Sequence, residues 1–215
     1  MSLKQVYDRL YKHYGPQHWW PGDTPFEVMV GAVLTQNTAW TNVEKAIYNL
    51  KLYDALSPHA IVEVPHEQLA QWIRPSGYFN IKARRLRNFC QWYIEQGEYP
   101  QLSQWETNEL REGLLSVNGV GPETADDIML YAFARPVFVI DAYTRRIFSR
   151  LDYITGDEGY EELREFFEKG LARNRDKVQL FNEYHALIVM HAKDICKMKP
   201  SCDDCCLKKV CLYLE

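Results

Sequence analysis

Four cysteines fall within sixteen residues near the end of this 215-residue chain: Cys196, Cys202, Cys205 and Cys211, spaced C-x5-C-x2-C-x5-C. Thiols this densely placed are poor core filler. The opening Met1-Ser2-Leu3-Lys4-Gln5 carries no apolar secretory segment, so a reducing cytoplasmic compartment is expected, nucleoid-associated in a prokaryote, and disulfides are disfavoured there. Structural zinc commonly takes two C-x2-4-C knuckles with a longer spacer between them. One compact loop suits a [4Fe–4S] cluster, whose corners are reached from a short segment. The cluster is therefore expected, with zinc and a metal-free loop as the alternatives. Spacing favours Cys205 over its neighbour Cys206 as third ligand, and Cys90, alone among aromatics, reads as a buried thiol. Lys197, Lys199, Lys208 and Lys209 share the loop, either as rigidly held cations for phosphates or as a soluble tail.

Elsewhere the apolar residues repeat at helical spacing, as in Val43-Ile47-Leu50 and Leu110-Leu114-Val117. Ile128 to Phe133 and Phe181 to His191 read as further helices. Pro65, Pro75-Ser76-Gly77, Gly97, Pro100, Gly119, Gly121, Pro136 and Gly156 punctuate them. Val137–Ile140 is the best strand candidate, but it is equally a buried extended linker, and no alternating partner exists. The expected class is all-α. No apolar run approaches the length of a membrane span. The net charge of −4 is unfavourable for a polyanion ligand unless the cations are segregated. Two clusters exist: Arg74, Lys82, Arg84, Arg85 and Arg87, then Arg145, Arg146 and Arg150. They read either as a basic face or as ordinary solvated helix faces.

The most informative stretch is Leu114-Leu115-Ser116-Val117-Asn118-Gly119-Val120-Gly121-Pro122-Glu123-Thr124-Ala125. One helix ends, a Gly-Val-Gly turn follows, and a second helix starts with proline at its first position, where the missing N–H costs nothing. The amides of Gly119, Val120 and Gly121 are then expected to face a phosphate. Eighteen residues after Glu123, an apolar run delivers Asp141 to a helix start. Asp is a favoured N-cap, but a carboxylate at the edge of a core is also a candidate catalytic group.

The hairpin, Asp141 and the cysteine loop, in that order, resemble the endonuclease III superfamily of helix-hairpin-helix DNA glycosylases over nearly the whole chain. Leu34-Thr35-Gln36-Asn37-Thr38 resembles the family's glutamine loop, and Ser76-Gly77-Tyr78-Phe79-Asn80-Ile81-Lys82-Ala83 its second DNA-facing loop. The first cysteine gap is five residues where the family usually has six. The resemblance implies a two-lobed fold: a six-helix barrel domain over residues 23–133, and a cluster domain from residues 1–22 with 134–215. A base flipped from double-stranded DNA would lie in the cleft between them. It further implies that Gln36 fills the vacated gap and Tyr78 wedges the opposite strand. Asp141 stabilises positive charge on the sugar and orients or deprotonates water.

Members that also cut the strand carry a Schiff-base lysine where this chain has Glu123, so release of the base by hydrolysis is expected. Trp19-Trp20-Pro21, the Gly31–Thr38 stretch and Arg74-Pro75-Ser76-Gly77 are similar to the small 3-methyladenine DNA glycosylases, some of which lack the cysteine loop. An aromatic pocket, with Trp20 and Trp40 as candidates, suits a cationic alkylated purine. Core packing is the other reading of both tryptophans. A monomer is expected. The competing readings are a glycosylase for oxidised or mismatched bases with lyase activity, a non-catalytic DNA-binding module, and a zinc-stabilised helical regulator.

Overall fold

The computed structural model describes residues 1–19 and 22–213. Among these the regular structure is helical and no strand forms. Its contacts divide into two compact units, Met1–Trp19 with Pro136–Glu215, and Trp20–Arg135. No helix is long and apolar enough to cross a membrane among the described residues.

The Trp20–Arg135 unit is built around α2 (Pro25–Leu34), which Thr24 caps and Pro25 opens. Its residues from Glu27 to Leu34 are all buried, as expected of a helix that is apolar all round. Helices α3 (Trp40–Leu52), α4 (Pro58–Glu63) and α5 (His66–Trp72) follow, then a 3-10 turn, Arg74–Ser76. The long α6 (Phe79–Glu95) packs against α2, α4 and α5. After α7 (Glu98–Leu102), helices α8 (Thr107–Ser116) and α9 (Pro122–Asp127) form the hairpin. A bidentate ion pair staples them: Arg111 Nε and Nη2 reach Asp126 Oδ1 and Oδ2 at 2.6 and 3.1 Å, with Asp126 fully buried. The apolar run after α9 is expected to be ordinary α-helix; instead Ile128–Ala132 is π-helical. Phe133 N bonds to Ile128 O because the usual acceptor, Met129 O, takes Arg135 N at 2.9 Å.

The other unit contains α1 (Leu3–Tyr14), α10 (Ala142–Arg150), α11 (Tyr160–Gly170) and α12 (Lys177–Asp194). A Ser2/Gln5 capping box starts α1. Phe138, Phe148, Phe167, Phe181 and Tyr184 interlock at the centre, Phe138 stacking on Phe167 at 4.5 Å and Phe148 meeting Phe167 edge-on at 4.7 Å. Tyr184 Oη donates to Leu3 O at 2.8 Å, tying α12 to the start of α1. Val137–Ile140 is the buried extended linker, not a strand. Side chains take the place of a ladder partner: Phe138 N donates to Glu168 Oε1 at 3.1 Å and Ile140 N to Tyr160 Oη at 3.4 Å.

Removing Arg111 takes both guanidinium bonds from a fully buried carboxylate. Arg111→Met is expected to cost about 3–5 kcal/mol in urea unfolding, and adding Asp126→Leu to recover most of it.

Candidate functional site

Asp141 stands where the linker ends and α10 begins. Oδ1 accepts from Thr144 N at 2.6 Å and Thr144 Oγ1 at 2.8 Å, the geometry of an N-cap. Oδ2 lies 3.6 Å from His185 Nε2, on α12. The side chain is 13% exposed. Burial pushes its pKa up, but the His185 imidazole and the two Thr144 donors outweigh that, and the carboxyl ends below its ordinary range. It is therefore ionised at neutral pH. The Trp19 indole stacks on His185, with centroids 6.2 Å apart and planes within 9°. The Gln17 backbone N–H donates to Glu183 Oε1 at 2.6 Å, so two buried polar residues of α12 anchor the segment after α1. Neither His185 nor Thr144 was singled out by sequence reasoning. Thr144, three residues after an Asp at a helix start, carried a usable capping signal; His185, more than forty residues away, carried none.

In the other unit the glutamine loop and the hairpin meet. Gln36 Nε2 donates to Gly119 O at 3.1 Å and Thr124 Oγ1 at 3.0 Å, while Arg85 Nη1 donates to Gln36 Oε1. Gly119 has φ +104, and a Cβ there would fall 2.3 Å from Arg85 Cγ, so both conformation and the close approach of Arg85 require glycine. The expectation of three free turn amides is corrected at Val120: its N–H donates to Val117 O at 3.0 Å because the turn closes on itself. Tyr78 is 69% exposed and left-handed, at φ 46 and ψ 32. Trp40, half-buried at the start of α3, lies over Gly31, where a Cβ would sit 3.0 Å from its ring. Glu123 is exposed in the first turn of α9, where a carboxylate also suits the helix dipole. Trp20 lies outside the described residues.

The basic clusters are corrected too. Lys82 is buried, 1% exposed, and donates to Leu34 O and Ser76 O at 2.8 and 2.6 Å. Arg87 donates to Val64 O, Arg145 to Glu158 O, and Arg146 and Arg150 to carbonyls of residues 192–198. Arg74 and Arg84 are exposed. Lys82 is withdrawn from the surface, while the bonded arginines, only partly buried, hold neighbouring segments in place.

Cys196, Cys202, Cys205 and Cys211 line one cavity of about 420 Å³, together with Arg150, Lys208 and Tyr213; Cys206 is not in its wall. Arg150 Nη1 donates to Cys196 Sγ at 3.2 Å, and His191 Nε2 lies 3.5 Å from Cys205 Sγ while its Nδ1 meets Tyr14 Oη at 2.9 Å. Among the described residues no group of three or more His, Cys, Asp or Glu side chains is arranged to hold a metal ion. The thiols surround a space instead. Four soft donors around a cavity, with a guanidinium against one sulfur, fit a polynuclear anionic cluster in the chemistry of the donor set.

The family model for the HhH-GPD superfamily base excision DNA repair proteins matches residues 30–173. The chain belongs to this superfamily. It is a helix-hairpin-helix DNA glycosylase of the endonuclease III-like type, and DNA is its partner. A Methanocaldococcus jannaschii protein to which DNA-repair glycosylase activity is ascribed is 47% identical over 213 residues, 98% of this chain and 96% of that one. Endonuclease III of Escherichia coli is 28% identical over 196 residues, 89% of this chain and 85% of its own. The Helicobacter pylori 3-methyladenine DNA glycosylase bound to 1,N6-ethenoadenine is similar in structure, at 32% identity and a TM-score of 0.78, over 90% of this chain and 98% of that one. Endonuclease III in a non-covalent complex with DNA matches at 25% identity and a TM-score of 0.79, over 98% and 94%.

Thr144→Val removes one donor from the Asp141 carboxylate and is expected to cost about 1 kcal/mol at neutral pH. The folded pKa of Asp141 is depressed, so its contribution is present above the ordinary value of 3.8 and lost as pH falls through the folded value. The stability gap between wild type and Thr144→Val should therefore narrow in acid; a gap independent of pH would show that the hydroxyl does not act on the charge.

Proposed function

We propose that this glycosylase is monofunctional and hydrolyses the N-glycosidic bond of an alkylated purine flipped out of double-stranded DNA, acting as a monomer. Two observations together carry the reading: an ionised, braced Asp141, and in the sequence a glutamate, Glu123, at the position that bears lysine in strand-cutting relatives. A carboxylate can stabilise the cation that builds on the sugar as the bond breaks, and can orient or deprotonate the water that attacks it. It cannot form a Schiff base, so an abasic site is left intact. The lesion class draws support from the H. pylori relative, named as a 3-methyladenine DNA glycosylase. A positively charged alkylpurine is already a good leaving group and needs little acid catalysis. Trp40, with Trp20, would receive it by stacking and cation–π attraction.

Gln36 would fill the gap left by the base and Tyr78 would part the opposite strand. The Gly119 and Gly121 amides, with the Val120 turn between them, would meet the phosphate. Cys196, Cys202, Cys205 and Cys211 would hold a [4Fe–4S] cluster, which when bound contributes folding energy to this segment. The endonuclease III relatives favour a second reading, a glycosylase with lyase activity on oxidised or mismatched bases.

Incubation with methylated duplex DNA is expected to release 3-methyladenine, with strand breaks only after alkali; breaks without alkali would overturn the monofunctional reading. Asp141→Asn should lower release by on the order of 10²–10³ while DNA binding persists. Cys202→Ser is expected to abolish the visible absorbance of the cluster and lower thermal stability in step. Colourless wild-type protein with stoichiometric zinc would overturn the cluster.

A further inference from the structure

We infer that Lys82 is a positioning residue that sets the spacing of the two loops that enter DNA, by donating simultaneously to the carbonyls at their roots. The inference rests on the reading of Gln36 and Tyr78 as insertion residues. Lys82 Nζ bonds to Leu34 O at 2.8 Å and to Ser76 O at 2.6 Å. Each acceptor lies two residues before an insertion residue: Leu34 before Gln36, Ser76 before Tyr78. One ammonium, on the first turn of α6, thus joins the end of α2 to the end of the 3-10 turn.

The two loops need such a brace. Both turn through left-handed non-glycine residues, Asn37 at φ 54 and Tyr78 at φ 46; Asn adopts this region readily, but a tyrosine is held there by its surroundings. Tyr78 is largely exposed, so little of its side chain is packed. Arg85, one turn further along α6, holds the tip of the first loop through Gln36 Oε1, so α6 braces that loop at root and tip.

A lysine here is not explained by packing. No carboxylate pairs with it among the described residues, and burial, aided by the nearby Arg85 charge, lowers its pKa to about 8. An ammonium out of water is destabilising unless its donors are used. Methionine would fill the same space without that cost, but could not hold two carbonyls at once.

The test compares wild type, Lys82→Met and Lys82→Gln, with active enzyme titrated on duplex bearing a tetrahydrofuran abasic analogue. Insertion is read from 2-aminopurine beside that analogue, a signal independent of the preferred lesion. Base release is read in single turnover from a paired 3-methyladenine and from one in an unpaired bulge. With mispositioned loops, Lys82→Met loses the 2-aminopurine signal and slows on the paired site by on the order of a hundredfold. It should stay near wild type on the bulge, where no gap needs filling. Equal losses on both substrates, or an unchanged fluorescence signal, would overturn the inference, since a stability defect moves both rates together. If Lys82→Met does not fold, Lys82→Gln, whose shorter amide cannot span both carbonyls, should show the same selective loss. Wild-type behaviour of that variant would refute the brace. Failure of wild type to release 3-methyladenine would fault the lesion assignment alone, because the fluorescence arm does not depend on it.

Discussion

Short helices end in carbonyls that their own backbone cannot satisfy, and the way those carbonyls are satisfied organises much of this protein. Lys82 bonds to the last carbonyl of α2, and Asn49 Nδ2 to the last of α5 at 2.8 Å. Arg87 reaches Val64 just past α4, and Arg135 reaches Ser103 just past α7 at 2.8 Å. Arg146 takes Ala192 O in the last turn of α12 at 3.0 Å, then Cys196 O beyond it. A cation at a helix C-terminus also meets the negative end of the dipole. Lys82, Asn49, Arg87 and Arg146 come from other helices and Arg135 from the segment after the π turn, so each bond meets a helix end and fixes a neighbour together.

The same economy appears at the Asp141 end of α10. N-capping and charge are often treated as rival explanations of an Asp at a helix start, but here one oxygen serves each. Oδ1 is occupied by Thr144, which fixes the rotamer; Oδ2 is turned toward His185. The cap is therefore the means by which the charge is aimed. From the middle and the far end of the helix, Arg146 and Arg150 bind the backbone around the first cysteine. The element that carries Asp141 is held at both ends, which is the preorganisation its proposed electrostatic role would use.

How much of this was legible follows from range. The all-helical class, the hairpin and the start of α10 are written in local signals: helical spacing, Gly-Val-Gly-Pro, and an Asp after an apolar run. The linker Val137–Ile140 was ambiguous because four apolar residues fit a strand as well; Glu168 and Tyr160, far along the chain, decide it. The π turn was invisible because it depends on Arg135 taking one carbonyl. His185 was missed for the same reason: nothing near residue 185 announces Asp141. Lys82 was misread outright. A lysine among arginines looks like surface charge, and only a three-dimensional arrangement of Leu34 and Ser76 reveals an interior position.

That misreading bears on how an acidic protein meets a polyanion. Of the eight basic residues in the two clusters, Lys82, Arg85, Arg87, Arg145, Arg146 and Arg150 are bonded to groups of the protein itself. The arginines keep their charge at neutral acceptors and stay partly exposed, so what a count of cations along the sequence overstates is the share of Lys82, which is buried. Phosphate affinity scales with the number of cations that displace counterions, and a cation withdrawn from that number would leave more of the recognition to backbone amides and loop shape. Those depend on placement rather than on net charge. Lys82, drawn inward to bond at two loop roots, gives up contact with solvent and in exchange ties those roots together.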